Sequence, residues 1–516
     1  MSHCVVWHLA WGHVEGQIFN EEDKALLRFN QLKGGSFATT MLGPNLEELA
    51  YYGSRAGRDS EMRQWCEKRM VIGDATDQPV MRRVVRKIYG GGPEAVTCLV
   101  VGAGARGQTY SEHPALRPMA VAEPNGARRA AFAARHGIAL QHQFASWEEA
   151  FAAKAAGQFA AEACMVTTPD QGHVAPAIKA CNHFGALLLE KPMAVSEDDC
   201  KAIVAACRTH GTVCAICHVL RYTFANKQMR HMIAEGKIGE VLSISHTEPV
   251  GYFHFAHSFV RGSWRAEEQS TCSLLAKCCH DVDLIASWMN HDTCTMVSSH
   301  GSLQHFRRDK KPSEAKGVMR CMDCPVKETC PYSATQLYLP GGAVNHAWAR
   351  HLVGGPPDIE SVAEALKTGP YGRCAYECDN DVCDHQVATF EFASGCIATL
   401  TMVATTERMC ERETKIYGSL GELSSSCATE VRHTDFQTGQ VHAYQAPIGN
   451  DQTPLSGHGG ADQLLVDAFV NAVRSGDTDL VLTGPEESLR SHCLTFAADR
   501  ARKEQRILRV ESSGQQ

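Results

Sequence analysis

The run Gly102-Ala103-Gly104-Ala105-Arg106-Gly107 directly follows a short apolar segment. Its G-x-G-x-x-G spacing is what a dinucleotide phosphate loop requires. One glycine permits the tight turn, one lets the backbone approach a pyrophosphate, and one lets helix and strand pack closely. The phosphates would sit at the N-terminus of the following helix, where free N–H groups favour anions. The spacing alone is weak in a chain with 43 glycines. Glu123 strengthens it: it ends the next apolar run, where an acidic side chain holds the adenosine ribose hydroxyls. That carboxylate repels a 2′-phosphate, so NAD is the preferred cofactor. Arg128 and Arg129 keep NADP as the alternative.

Thiols form a second candidate site. Cys321, Cys324 and Cys330 are spaced C-x2-C-x5-C, and Cys374 supplies a fourth sulfur, with Cys378, Cys383 and His385 as rivals. Four thiolates suit a tetrahedral structural zinc, which would staple a loop that has no core of its own. Free thiols, redox disulfides and an iron–sulfur centre are the alternatives. Other cysteines, such as Cys98, Cys164, Cys214 and Cys217, lie in apolar strands and read as small buried hydrophobes. Arg221-Tyr222 is a candidate substrate-pocket pair. The run Tyr252, His254, His257, Ser258, Arg261, Trp264 reads as loop residues suited to sugar hydroxyls, with a solvated loop as the alternative.

These residues need elements to position them. Val96–Val101, Met119–Ala122, Ala163–Thr167, Ala186–Leu189 and Val213–Val219 are short apolar runs. They alternate with helical patterns at Gly126–His136, Trp147–Ala156, His173–His183 and Glu197–His210. Strands alternating with helices of that length predict a doubly wound parallel sheet. From about residue 222 the pattern changes to longer strands at Val241–Glu248 and Gln386–Ala404, turning at Gly395, and a hairpin at Phe436–Tyr444. This predicts an α+β domain with a large, mainly antiparallel sheet, closed by helices at Ala461–Ser475 and Glu486–Lys503. The expected organisation is an N-terminal extension (1–93) of unknown role with helical patches at Glu21–Asn30 and Glu61–Met70, a Rossmann domain (94–220), and a substrate and oligomerisation domain (221–510) with a Cys-rich insertion (304–385).

Composition excludes several classes. A net charge of −8 leaves no global basic field for nucleic acid or anionic membrane. No apolar stretch approaches the length of a membrane span, and the start lacks the pattern of a secretory signal. With 23 cysteines and no such signal, reduced thiols and a cytoplasmic location are expected.

The phosphate loop, Thr167-Thr168-Pro169-Asp170 with His173, Glu190-Lys191-Pro192, and the helical His280-Asp281-Val282-Asp283 together resemble the Gfo/Idh/MocA oxidoreductases. The resemblance covers roughly residues 95–510. It implies that the loop with Thr167, Thr168, Pro169, His173 and Glu190 binds the dinucleotide, and that Lys191 lies beside the nicotinamide and the substrate hydroxyl. It implies a C-terminal helix that swaps back, and homo-oligomers (dimer or tetramer) built through the sheet. The family's second signature has an aspartate four residues before the histidine. Here His280 has Ala276 at that place, with Lys277 next to it. His280 is a candidate general acid/base, Lys277 a candidate polar group of the pocket, and Asp283 a candidate substrate contact. The leading expectation is an NAD(P)-dependent dehydrogenase acting on a sugar, polyol or cyclitol. Ala276 supports two alternatives: a redox-neutral NAD-dependent lyase or glycosidase, and a non-catalytic sensor or scaffold.

Overall fold

The computed structural model describes residues 95–290, 292–340, 348–349, 352–353, 357–447, 455 and 457–510, and the backbone of six short strands between residues 4 and 72. Two compact units result: residues 1–96 with 113–117, and residues 97–112 with 118–516. In the first, Phe19–Glu21, Lys24–Phe29, Ala38–Leu42 and Leu49–Tyr52 form a four-stranded antiparallel sheet. The helical patch expected at Glu21–Asn30 is therefore corrected to strand: once paired on both edges, Lys24–Phe29 satisfies its backbone through neighbours. The patch at Glu61–Met70 lies outside the described residues.

The second unit begins with the expected doubly wound sheet. Its strands are β1 (Val96–Val101), β2 (Leu116–Ala122), β3 (Gln143–Phe144), β4 (Ala163–Val166), β5 (Ala186–Leu189) and β6 (Val213–Ile216), in the order β6-β5-β4-β1-β2-β3. Helices α1 (Ala105–Ser111), α2 (Gly126–His136), α3 (Trp147–Ala155), α4 (Val174–His183) and α5 (Glu197–His210) connect them. β4 and β5 are buried at every position, which explains their unbroken apolar runs. The register matters most. Val101 pairs with Val166, Val166 with Leu189, and Leu189 with Ile216. Four strands therefore end level, and the segments after them emerge along one edge.

Beyond α6 (Phe224–Ala234) comes a nine-stranded sheet. Its central strand β7 (Val241–Pro249) pairs parallel with β10 (Ile397–Val403) and antiparallel with β11 (Glu413–Gly418). β8 (Cys294–Ser302) and β9 (His385–Phe392) extend one side; β12 (Gly421–Cys427), β13 (Glu430–Asp435) and β14 (Val441–Gln445) extend the other. In β9, Gln386, Ala388, Phe390 and Phe392 turn inward, the alternation of a sheet covered on one face. The covering helix α7 (Cys279–Trp288) is buried along its whole length.

The Cys-rich insertion departs from expectation. Leu337, Tyr338 and Ala334 pack with Val362 and Leu366 of helix α8 (Ile359–Thr368). The insertion thus has a small core of its own, because these apolar residues come together only in three dimensions.

After α9 (Ala461–Ser475), the long helix α10 (Pro485–Glu504) returns to the first sheet, as the resemblance implied. Leu489 and Phe496 pack on the Rossmann core, and His492 Nε2 accepts from Met193 N at 2.9 Å. Here two expected pocket residues turn out to hold the domains together. Arg221 donates to Asp283 through Nε (2.6 Å) and Nη2 (2.8 Å), and to Leu482 O (3.0 Å). Asp283 also accepts from Ser491 of α10. Tyr222 accepts from Leu482 N at 3.0 Å. With their polar groups taken and their side chains buried, Arg221, Tyr222 and Asp283 do not serve as substrate contacts. Breaking such a buried pair leaves an uncompensated charge. Arg221→Leu is expected to cost about 3–5 kcal/mol in denaturant unfolding, without a selective rise in KM for any substrate the wild type turns over.

Candidate active site

The level strand ends bring four segments together. After β1, Gly102 adopts a φ of +93°, and a Cβ there would lie 2.7 Å from Thr167 O. A Cβ at Gly107 would lie 2.2 Å from Gly102 O, so this third glycine is what allows α1 to meet β1. Gly104 faces open space, and α1 begins on it with no side-chain cap. Thr167 Oγ1 donates to Gly102 O at 2.6 Å, tying the end of β4 to the loop.

Glu123 is buried at the end of β2. Its Oε2 accepts from Ala103 N of the loop (2.9 Å), and its Oε1 from Asn125 N (3.0 Å). Arg128 stands 3.3 Å from the same carboxylate. The loop cradle and the acidic group fit a dinucleotide: Gly102, Gly104, Ala105 and Gly107 would hold the pyrophosphate, and Glu123 a ribose. Arg128 is committed to Glu123 rather than standing alone to meet a 2′-phosphate.

After β5, Glu190 is buried with three donors. Oε1 accepts from Arg106 Nε (2.9 Å) and Tyr110 Oη (2.8 Å), and Oε2 from Lys191 N (2.8 Å). Burial would raise its pKa, but the charges of Arg106 and Lys191 outweigh that and hold the carboxyl below its usual range. Arg106 also pairs with Asp462 of α9 at 2.6 Å. Arg106 and Glu190 are therefore linchpins of the site's frame. The Lys191–Pro192 peptide is cis. His173 is fully buried, its ring bridging Thr168 O (2.8 Å) and Pro192 O (2.7 Å). It links the two loops rather than facing a ligand.

Lys191 Nζ donates to the main-chain O of Ala276 at 2.8 Å. The residue that lacks the expected aspartate thus still receives the lysine, through a carbonyl that cannot ionise. His280 is buried nearby, with Nδ1 making no hydrogen bond. Burial, then the Lys191 charge, pushes its pKa well below the histidine range. It is neutral at physiological pH. The His218 ring lies 5.6 Å from that of His280, and the His458 ring 6.1 Å away. His458 in turn bonds Asp462 at 3.2 Å.

Lys277, the candidate polar group of the pocket, is held in a cluster of charges. Its Nζ lies 3.0 Å from Cys410 Sγ and 3.4 Å from the buried Glu248 carboxylate. Burial opposes its charge, but Cys410 and Glu248 prevail and raise its pKa above the lysine range. Arg412 completes the cluster, 2.7 Å from Glu248 and 3.0 Å from Asp281.

Three further expected contacts lie elsewhere. His257 Nδ1 is 2.9 Å from Tyr338 Oη, and its ring stacks on Tyr371 within the insertion. Arg261 donates to Tyr332 O and Arg373 O, also in the insertion. Trp264 Nε1 donates to Asp170 at 2.9 Å, bracing the loop after β4. As placed, each of the three turns a polar group onto the protein rather than into the strand-end site. Cys321, Cys324, Cys330 and Cys374 line one small cavity. Among the described residues, no three His, Cys, Asp or Glu side chains are arranged to hold a metal ion as they stand.

Tyr110, His218, His458, Asp462 and Glu248 were missed in the sequence. They stand in no recognisable motif, and Asp462 lies 356 residues from Arg106.

The site holds several buried histidines with depressed pKa values: His280, His218 and His492, the last pushed by burial down to about 3. The unfolded chain binds protons at these groups below about pH 6.5, where the folded protein does not. Stability is therefore expected to be full at neutral pH and to fall as pH drops from about 7 toward 3. Melting temperatures across that range check this. His280→Gln should shallow the slope.

Among the described residues, no helix is long and apolar enough to cross a membrane. Residues 96–218 match an oxidoreductase family's NAD-binding Rossmann fold, and residues 230–511 its C-terminal alpha/beta domain. YteT of Bacillus subtilis is 25% identical over 313 residues, 59% of this chain and 70% of YteT. The 2,7-anhydro-N-acetylneuraminate hydratase of Escherichia coli is 31% identical over 143 residues, 27% of this chain and 37% of the hydratase. An inositol dehydrogenase homolog from Azotobacter vinelandii, solved with NAD+, superposes with a TM-score of 0.58 at 14% identity, covering 81% of this chain and 98% of that one. The aldose-aldose oxidoreductase of Caulobacter crescentus gives 0.56 at 14% identity, covering 81% and 100%. With both of its domains matched and its strand-end site assembled as described, the chain belongs to the Gfo/Idh/MocA oxidoreductase family.

Proposed function

We propose that this protein is an NAD-dependent dehydrogenase of a sugar, polyol or cyclitol, moving a hydride at a CH–OH carbon. The carrying observation is the convergence of the phosphate loop, Glu123, Lys191 and a neutral His280 on one edge of the sheet. When bound, the nicotinamide supplies the hydride acceptor or donor. The chain's own residues handle the proton. Lys191, anchored on Ala276 O, holds the hydroxyl oxygen. His280 accepts the proton as the carbinol becomes a carbonyl, and returns it in the reverse direction. Lys277 and Arg412 contribute fixed positive charge paired to Glu248. The abundance of thiols supports a reducing, cytoplasmic setting, and the broad sheet supports a dimer or tetramer.

A second reading is supported by Ala276 and by the likeness to the hydratase. In it the cofactor stays bound, the substrate is oxidised and later re-reduced, and an elimination or hydration occurs between, with no net redox change. A panel of sugars, inositols and anhydro-sugars, followed at the nicotinamide absorbance and by product analysis, separates the two. Net NADH formation is expected for the dehydrogenase. Product without NADH identifies the redox-neutral route. Cofactor binding with no turnover across the panel would overturn both and favour a sensor.

Lys191→Ala is expected to lower turnover by roughly 10²–10⁴-fold while dinucleotide binding persists. Glu123→Ser removes the repelling carboxylate and frees Arg128. It should lower the preference for NAD over NADP by roughly tenfold, about 1.4 kcal/mol, read as the ratio of dissociation constants.

A further inference from the structure

We propose that Cys321, Cys324, Cys330 and Cys374 bind one zinc ion as a closed tetrathiolate site, which locks the insertion to itself. The inference stands apart from the hydride-transfer assignment. Backbone geometry converges the four. An antiparallel bridge between Arg320 and Arg373 sets Cys321 beside Cys374, reinforced by Cys374 N donating to Met319 O at 2.9 Å. Cys321–Asp323 forms a tight turn in which Cys324 N donates to Cys321 O at 3.2 Å. Cys330 N donates to Val326 O at 2.9 Å, folding the third thiol back. All four side chains line the same small cavity.

An independent observation concerns charge. Arg261 is 1% exposed, and a guanidinium stays charged in a protein. Among the described residues no carboxylate pairs with it. It donates to the carbonyls of Tyr332 and Arg373 and to Cys321 Sγ, at 2.6, 2.8 and 3.6 Å. Among the described residues its Nη1 has no hydrogen-bond partner. A buried unpaired cation is costly. Neutral thiols do not balance it. On binding zinc, each thiol gives its proton to solvent, and the resulting centre carries two net negative charges. That anion lies where the unpaired guanidinium needs one. As they stand, the sulfurs are not yet in ligand geometry. Protonated thiols have no reason to close to the spacing that a zinc–sulfur bond of about 2.3 Å imposes. The metal supplies that attraction.

The test uses the full chain, purified under reducing conditions without chelator. Elemental analysis is expected to find about one zinc per chain. Exchange with Co2+ should give the absorption of a tetrahedral, all-sulfur centre. Cys321→Ser and Cys374→Ser should lose the metal, while Cys427→Ser, at a half-exposed thiol of β12, should keep it. Arg261→Met should weaken zinc binding by roughly 10–100-fold, as loss of a group supporting the ligands does. Four reactive thiols with no uptake of added Zn2+ would overturn the proposal. So would a disulfide between any two of the four, or zinc retained by the Cys321→Ser/Cys374→Ser double variant. If the serine variants do not fold, the cobalt spectrum of the unaltered protein decides: an octahedral or sulfur-free spectrum rejects the site.

Discussion

The Glu190 carboxylate accepts from three donors, and each anchors a different part of the site. Arg106 and Tyr110 stand on the helix that opens at the phosphate loop, and Lys191 N begins the turn that carries the Lys191 amine. Through Arg106 the network reaches Asp462 on a helix of the sheet domain. A charge buried this deeply is tolerable only when paired and hydrogen-bonded. Satisfying it therefore fixes the loop, the lysine and the second domain relative to one another. Pre-organisation of this kind is what positions a proton donor to within the fractions of an ångström that catalysis needs.

The same economy of charge shapes the proton-handling groups. Around His280 the cations Lys191 and Arg412 and the rings of His218 and His458 all disfavour an imidazolium. Lys277 and Arg412, by contrast, are balanced by Glu248 and Asp281 and remain charged. The site thus separates one neutral imidazole from a set of fixed cations. Ala276 takes part only through its carbonyl. An aspartate there would bring a negative charge beside Lys191 and His280 and favour their protonated forms. Its absence gives this chain a proton inventory different from an Asp/His relay, which is why the redox-neutral route is a natural second reading.

The run from Tyr252 to Trp264 shows how polar residues can mislead. His257, Arg261 and Trp264 read as suited to sugar hydroxyls, but each turns a hydrogen-bonding group onto the protein: onto Tyr338, onto carbonyls of the insertion, and onto Asp170. Arg221 and Asp283 similarly pair with each other. A polar side chain read in sequence carries no sign of whether its partner is substrate or a residue far along the chain.

What the sequence determined by itself is local. The glycine spacing, the apolar runs of the parallel strands, the alternation in β9, and the position of Glu123 at a strand end all follow from contacts within a few residues or one βαβ unit. Their periodicity is written along the chain. Only the tertiary structure decided the rest. It placed Asp462 on Arg106 and Ala276 O on Lys191. It gathered four thiols around one cavity and gave the insertion a core. It turned the N-terminal patch around Lys24–Phe29 from helix to strand. These outcomes depend on pairing across long sequence separations and on burial, which sets both the partners and the protonation of each charged group. Neither quantity has a periodic trace in the order of residues.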